Sequence, residues 1–154
     1  MGTLQADIDS AQVRVVLVDS REERRKLMND VVEGDGDRAV VVAEADSAVA
    51  ALLAVVEQSA DAVVLDLRMP TAEGLEAVGD LRRMFPRLAI VVCSFDLAPA
   101  TVRQALAAGA DACLSKPASP HELVVALGVA CQRSARTEDD PVRDVAPAVT
   151  RAAA

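Results

Sequence analysis

A short apolar run that ends in an acid is the feature that most limits how this chain can fold. The run from Ala62 to Leu65 is apolar without alternation, Asp66 follows it, and Pro70 comes four residues later. Such a run is typical of a strand buried on both faces of a parallel sheet. Because α/β proteins place their sites at the carboxyl ends of such strands, Asp66 is a candidate functional residue. The alternative is a turn or helix-capping aspartate.

Three further apolar runs also end in residues that carry chemistry. These runs, with the residues that follow them, are Val13 to Val18 with Asp19, Leu88 to Cys93 with Ser94, and Ala112 to Ser115 with Lys116-Pro117. In a parallel sheet the four ends would bring two carboxylates, a hydroxyl and an ammonium to one edge. This convergence favours a site over an isolated turn residue.

Five strands and five helices are predicted to alternate along the chain. The expected strands are 13–18, 39–43, 62–65, 88–93 and 111–115, and the expected helices are 20–33, 48–58, 73–85, 99–108 and 119–136. The alternation predicts an α/β fold with a doubly wound, five-stranded parallel sheet covered on both faces. The flavodoxin-like order 2-1-3-4-5 is the natural solution, and it makes Asp19 and Asp66 neighbours.

Two local predictions concern the first two helices. Ser20 is expected to cap the first helix, since serine side chains accept hydrogen bonds from the free N–H groups there. In the second helix the spacing of the large apolar residues predicts that they form the inner face. These residues are Val49, Leu52, Leu53 and Val56.

The length of 154 residues predicts one domain, which we place at residues 13–136. Residues 1–12 are expected to form a flexible arm and residues 137–154 a flexible tail rich in Pro, Ala and charge. An apolar content of 52% excludes a disordered chain. No apolar run is long enough to span a bilayer, and the start lacks the pattern of a secretory signal. We therefore expect no membrane partner and a cytoplasmic location.

The net charge of −8 disfavours nucleic acid as a direct partner. Arg21 to Lys26 is the only candidate basic patch. The three cysteines, Cys93, Cys113 and Cys131, are an odd number without metal-binding spacing. They are interpreted as buried small hydrophobes in a reducing compartment.

The strand ends carry a resemblance to a known family. The segments concerned are VVLVDS at 15–20, VVLDLRMPTAEGL at 63–75, VVCSF at 91–95 and AGADACLSKP at 108–117. With this Asp…Asp…Ser…Lys-Pro series the chain resembles a response-regulator receiver domain of two-component signalling, over roughly residues 13–135. The resemblance implies a magnesium requirement and phosphorylation of an aspartate by a histidine kinase or phosphotransfer protein.

For the acceptor and the metal, the resemblance implies three positions. Asp66 matches the phosphoacceptor, and Asp19 matches the first acid of the pair that holds Mg²⁺. Arg68 stands where the family uses a backbone carbonyl as a metal ligand. Asp66 itself would also bind the metal. A hard cation held by oxygen ligands neutralises charge between the carboxylate and the incoming phosphoryl group.

The resemblance also implies a switch. Ser94 matches the hydroxyl that follows the phosphoryl group, and Lys116 matches the ammonium that pairs with it, next to Pro117 as a cis-proline. Cys113 stands where the family often has a rotating aromatic ring, so this part of the switch is atypical. Phe95 would cover the sheet edge or shield the phosphoryl site.

The second acid of the metal pair is replaced by Ser20. Because Mg²⁺ usually relies on one or two carboxylates, the loss of an acid predicts weak magnesium binding. The Ser20 hydroxyl, Glu22 or Glu23 are the alternatives for the remaining ligand.

Three functions are weighed on these grounds. The first is a stand-alone signalling receiver, not an enzyme and without catalytic residues, whose output passes to a downstream protein or a second copy through the face formed by residues 97–115. The second is a degenerate receiver that binds proteins independently of phosphate, which Ser20 and Cys113 favour. The third, remote alternative is a phosphatase that forms an aspartyl phosphate. Arg68 disfavours it, because those enzymes usually have a proton-donating Asp at that position.

Overall fold

Strands and helices alternate along the chain in the computed structural model, which describes residues 12–34, 38–68, 73–95, 97–136 and 148–150. The strands are β1 Val13–Val18, β2 Ala39–Ala45, β3 Ala62–Leu65, β4 Ala89–Ser94, β5 Ala112–Ser115 and β6 Ala148–Thr150. The helices are α1 Glu22–Glu33, α2 Ala48–Gln58, α3 Glu73–Met84, α4 Pro99–Ala108 and α5 Pro120–Arg136.

The first five strands form an all-parallel sheet in the order β2-β1-β3-β4-β5. The predicted fold class and strand order are therefore confirmed. All four residues of β3 are buried, because β1 and β4 flank it and helices cover both of its faces. This explains why the sequence of β3 is apolar without alternation.

A sixth strand extends the sheet beyond β5. Residues Ala148–Thr150 pair in parallel with Ala112, Cys113 and Leu114. These residues lie in the segment assigned to a flexible tail, and there the structure differs from the prediction. Val and Thr favour strands, and the outer side of β5 offers backbone groups that a further strand can pair. Residues 1–11 and the remainder of 137–154 lie outside the described residues.

Helices cover the two faces of the sheet unequally. Helices α1 and α5 cover one face, where the core includes Val15 and Leu17 of β1. Helices α2, α3 and α4 cover the other face, where the core includes Val16 and Val18. Within the described ranges, none of the helices is both long and apolar enough to cross a membrane.

The predicted inner face of α2 is wrong for three of its four residues. Val49, Leu53 and Val56 are 67%, 57% and 60% exposed. The buried residues are instead Ala51, Ala54 and Val55. Since α2 is apolar almost all round, the spacing of its large residues does not identify the buried side, and the small alanines allow the helix to lie close to the sheet.

Serine side chains cap two of the helices, whereas the cap predicted for the first helix is not formed. Ser47 caps α2 by accepting the N–H of Ala50 at 3.2 Å, and Ser119 caps α5 by accepting the N–H of Glu122 at 3.2 Å. Ser20 does not cap α1, whose N-cap position is Arg21 without a side-chain cap. The Asp19 carboxylate accepts the N–H of Arg21 at 2.9 Å.

Candidate functional site

The carboxyl ends of β1 and β3 place two acids side by side. Val18 and Leu65 are register partners, so Asp19 and Asp66 each follow one of two paired residues. The backbone N–H of Asp66 donates to the Val18 carbonyl at 3.1 Å, and that of Asp19 donates to the Ala45 carbonyl at 3.1 Å. The strand hydrogen bonds thus continue one residue past the strands and fix the backbone of both acids.

Asp66 is buried, and both of its carboxylate oxygens accept hydrogen bonds. It is 3% exposed. One carboxylate oxygen, Oδ1, accepts the backbone N–H of Arg68 at 2.9 Å. The other, Oδ2, accepts a hydrogen bond from Lys116 Nζ at 2.9 Å and lies 3.7 Å from a guanidinium nitrogen of Arg24. Two cations and one backbone donor therefore surround this carboxylate.

The pKa of Asp66 reflects a balance between burial and these partners. Burial raises the pKa, because it removes water from the charged form. The hydrogen bond from Arg68, the hydrogen bond and charge of Lys116, and the charge of Arg24 lower it, and together they outweigh burial. The pKa ends below the ordinary value of 3.8, so Asp66 is a carboxylate at neutral pH.

Asp19 keeps one oxygen open. The residue is 5% exposed, and its Oδ2 atom is buried without a hydrogen-bond partner. Lys116 Nζ lies 3.7 Å from this oxygen, within ion-pair range. A buried carboxylate oxygen that accepts no hydrogen bond is costly, and a bound cation or water is its usual partner. Asp19 therefore has the property expected of a metal ligand.

Lys116 and Ser94 reach the same edge from β5 and β4. Ser94 is 2% exposed, and its carbonyl accepts the backbone N–H of Lys116 at 2.9 Å. The Lys116–Pro117 peptide bond is cis, as the resemblance implied. The Lys116 ammonium lies 5.4 Å from the centre of the Phe95 ring, and Phe95 is 54% exposed. Phe95 thus covers the outer side of Lys116.

The metal ligands can be tested against this geometry. Glu22 and Glu23 are exposed, and Glu22 pairs with Lys26 at 3.5 Å. Ser20 is half-buried. Among the described residues no group of three or more His, Cys, Asp or Glu side chains could hold a metal ion. The acidic donors at this edge are thus Asp19 and Asp66, and water would fill the other positions around Mg²⁺.

Arg24 and Arg25 belong to the site but were missed in the sequence. Arg25 donates to the Asp19 carbonyl at 2.7 Å and pairs with Glu44 at 3.3 Å. Arg24 contacts Asp66, as described above. Both residues lie in α1, which starts three residues after Asp19, so a signal was present: cations five and six residues after the first strand-end acid. The four side chains Asp19, Arg24, Asp66 and Lys116, here called the carboxyl-edge cluster, line a small recess.

The remaining candidate is Cys113, which lies away from this cluster. It is 0% exposed and belongs to the core on the face of α2, α3 and α4. Burial raises the pKa of its thiol to about 11, so the thiol is protonated at neutral pH. Its role in a switch, like the metal role of the Arg68 carbonyl, stays a prediction.

Comparison with known proteins gives a family match over most of the chain. The family described as "Response regulator receiver domain" matches residues 15–128. The chain is also similar to the KDP operon transcriptional regulatory protein KdpE of Escherichia coli, with 36% identity over 129 residues. That match covers 83% of this chain and 56% of KdpE, so the chain spans little more than half of that relative.

Smaller relatives and solved structures are covered almost completely. The chemotaxis protein CheY of Thermotoga maritima is 32% identical over 114 residues, which cover 74% of this chain and 93% of CheY. The receiver domain of the putative regulator NarL from Mycobacterium tuberculosis is 30% identical with a TM-score of 0.71, covering 79% and 97% of the two chains. The chain belongs to the response regulator receiver domain family.

Proposed function

We propose that the chain is a phosphoacceptor signalling module, phosphorylated on Asp66 by a histidine kinase or phosphotransfer protein. The observation that carries this proposal is the contact of 2.9 Å between Lys116 Nζ and Asp66 Oδ2, in a recess at the carboxyl edge of the sheet. An ionised acid beside an ammonium at this edge can act as a nucleophile and have its product stabilised in place. We also propose that the chain is located in the cytoplasm, in the same compartment as its phosphodonor.

The proposed transfer is a displacement at phosphorus. A carboxylate oxygen of Asp66 forms a bond to the phosphorus atom, and the P–N bond of the donor phosphohistidine breaks. The electron pair of that bond stays with the histidine nitrogen. Lys116 then follows the charge from the carboxylate to the phosphoryl oxygens. The product is an acyl phosphate, which is reactive and therefore suits a transient signal.

Magnesium is part of this proposal. Asp19, Asp66 and the backbone carbonyl of Arg68 would hold the ion, and Asp19 Oδ2 is a buried oxygen without a hydrogen-bond partner. When bound, Mg²⁺ supplies positive charge between the acid and the phosphoryl group. Ser20 in place of an acid supports a weak site, because Mg²⁺ binding depends on few carboxylates.

Output is proposed to pass through protein contacts at the face formed by residues 97–115. Ser94 and Lys116 border this face at the carboxyl edge, so a phosphoryl group on Asp66 could alter it. Since β6 pairs with the outer side of β5, a partner or second copy would meet the exposed side of α4 rather than add a strand to β5. Arg103 and Gln104 are exposed there.

Labelling experiments test the acceptor. Wild type incubated with acetyl phosphate or a phosphohistidine donor should gain one base-labile phosphoryl group, measured by mass spectrometry, and Asp66→Asn should gain none. Asp30→Asn, an exposed acid on α1, is the matched control and should label like wild type. If Asp66→Asn labels as well as wild type, the assignment fails.

A second experiment tests Lys116. In Lys116→Ala, phosphorylation should no longer change the NMR spectrum, whereas the stability of the fold should decrease less.

A phosphate-independent receiver is the second candidate, and Ser20 is the observation that favours it. In that case the exposed side of α4 would bind its partner equally well whether or not Asp66 is modified. Partner binding by wild type and by Asp66→Asn, compared with and without beryllofluoride plus magnesium, separates the two functions. A wild-type-specific gain in affinity on adding the analogue supports phosphorylation control.

A further inference from the structure

Arg24 occupies a position in the carboxyl-edge cluster that the proposed function does not require. Its guanidinium lies 3.7 Å from Asp66 Oδ2, and its side chain is 21% exposed. It lines the same recess as the two acids and Lys116. A cation at this distance from a buried carboxylate, partly shielded from water, interacts with it more strongly than a surface charge would.

The formal charge of the cluster is balanced without a metal ion. Asp19 and Asp66 carry two negative charges, and Arg24 and Lys116 carry two positive charges. The residue after Asp19 is Ser20, which adds no charge. A divalent cation entering this recess therefore meets a neutral cluster and a neighbouring guanidinium that repels it.

We propose that Arg24 is a built-in counter-ion of Asp66 that takes over part of the charge neutralisation otherwise supplied by magnesium. The planar guanidinium matches the geometry of phosphoryl oxygens, to which it can donate two hydrogen bonds. Arg24 therefore weakens Mg²⁺ binding in the unmodified protein and contacts the phosphoryl group once Asp66 carries it. The second half of this proposal rests on the proposed function, whereas the first half does not.

The neighbouring cations of α1 do not replace Arg24. Arg25 donates to the Asp19 carbonyl at 2.7 Å and pairs with Glu44, so its guanidinium is already engaged. Lys26 is 73% exposed and pairs with Glu22. Lys26→Gln therefore removes the same charge from the same helix without touching the recess, and it is the matched control.

The test is a magnesium titration of the full chain, followed by the amide NMR signals of Asp66 and Arg68. Arg24→Gln should bind Mg²⁺ at least about tenfold more tightly than wild type, which corresponds to roughly 1.4 kcal/mol. Arg24→Lys keeps the charge and should stay within about threefold of wild type, and Lys26→Gln within about twofold, because exposed charges are screened by salt. Arg24→Met, which keeps the aliphatic stem, serves if Arg24→Gln does not fold.

Two outcomes would overturn the proposal. If Arg24→Gln or Arg24→Met binds Mg²⁺ no more tightly than Lys26→Gln, Arg24 is excluded as a competitor of the metal. Alternatively, Arg24→Lys could bind as tightly as Arg24→Gln, which would show that charge is not the cause.

A labelling experiment tests the phosphoryl half. Asp66 attacks the phosphorus of acetyl phosphate, the P–O bond to the acetyl group breaks, and acetate leaves. The ratio of labelling rates with magnesium and with a chelator should be at least about tenfold larger for Arg24→Gln than for wild type. An equal ratio overturns this half. If Asp66 does not label at all, the proposed function and this half fail together, while the magnesium titration still decides the role of Arg24.

Discussion

Two buried ion-pair clusters lie at opposite edges of the same sheet, and their partners are arranged differently. The amino-edge cluster consists of Arg82, Ile90, Asp111 and Ser134. One oxygen of Asp111, Oδ2, accepts hydrogen bonds from the Arg82 guanidinium at 2.7 Å, the Ile90 N–H at 2.9 Å and the Ser134 hydroxyl at 3.2 Å. Arg82 also donates to the carbonyls of Gly109 and Pro86. This cluster joins α3, β4, α5 and the residue that precedes β5.

The carboxyl-edge cluster contains similar groups, but not all of its carboxylate oxygens accept hydrogen bonds. It brings two carboxylates together, which repel each other, and Asp19 Oδ2 has no hydrogen-bond partner. It also borders a recess, whereas Asp111 gathers its donors on one oxygen. A buried acid on which several donors converge stabilises a fold. A buried acid next to a carboxylate oxygen that accepts no hydrogen bond remains available to a ligand. Similar groups therefore form a closed hydrogen-bond network at the amino edge and, at the carboxyl edge, a cluster with one carboxylate oxygen that accepts no hydrogen bond.

The largest expected effect is on stability at the amino edge. Asp111→Asn removes the charge that pairs with Arg82 and leaves three donors to share one amide oxygen. Breaking a buried ion pair typically costs about 3–5 kcal/mol, and we expect a loss of unfolding free energy in that range. Asp80→Asn removes the exposed ion pair with Arg83 on the same helix and should cost less than about 1 kcal/mol. Urea denaturation measures both, and similar losses for the two variants would contradict the comparison.

Thiol reactivity should show that neither cluster activates a cysteine nearby. Burial raises the pKa of Cys93, which lines the carboxyl-edge recess, to about 12, and that of Cys131 to about 11. Asp61 and Asp111 contribute to the shift at Cys131. From an ordinary pKa of 9.0, a value near 11 lowers the thiolate fraction at pH 8 about a hundredfold.

Alkylation by iodoacetamide, followed by mass spectrometry, measures this effect. The native protein should react at least about a hundredfold more slowly than the unfolded chain at pH 8, and the native rate should rise as the pH is raised toward 11. Half-buried Cys131 should react before Cys93 and Cys113. A native Cys93 that reacts at the unfolded rate would mean that the recess activates thiols.

Adding an acid to the carboxyl edge should increase the magnesium affinity of the carboxyl-edge cluster. Ser20→Asp supplies a third carboxylate beside Asp19 and should tighten Mg²⁺ binding at least about tenfold, or roughly 1.4 kcal/mol. Gln132→Glu adds the same charge near the far end of α5 and should leave the affinity unchanged. Isothermal titration calorimetry measures both. If wild type already binds as tightly as Ser20→Asp, another residue supplies the ligand, and Glu22 and Glu23 are the first to substitute.

The smallest expected effect is the stability change in Asp66→Asn. Removing this charge loses the pairing with Lys116 and Arg24, but it also relieves the burial of a carboxylate and the repulsion from Asp19. We expect the unfolding free energy to fall by less than about 1 kcal/mol, since the partners that lower the pKa of Asp66 outweigh burial but are opposed by it. Urea denaturation alongside Asp111→Asn tests the claim. Equal destabilisation by the two substitutions would show that both clusters are structural.

Most of the fold and three of the four side chains of the carboxyl-edge cluster could be predicted, because both depend on strand ends. Apolar runs locate buried strands, and parallel strands bring Asp19, Asp66 and Lys116 to one edge whatever the side-chain details. The spacing of Arg24 from Asp19 could have singled it out, but its contact with Asp66 could not be predicted, because that contact depends on the rotation of α1 about its axis. The same limitation explains why the buried side of α2 was predicted wrongly, since Val49 and Leu53 face outward. The strand Ala148–Thr150 has three residues, too few for a periodic signal.

The two phenylalanine rings make the two edges separately observable. The chain contains no Trp or Tyr, so Phe85, Phe95 and one imidazole supply the ring-proton region of an NMR spectrum. Phe95 lies against the Lys116 ammonium, and the Phe85 carbonyl accepts a hydrogen bond from Arg82 at 3.5 Å. Unlabelled protein therefore carries one native reporter for each edge. A ligand at Asp66 should shift the Phe95 ring signals and leave those of Phe85 in place.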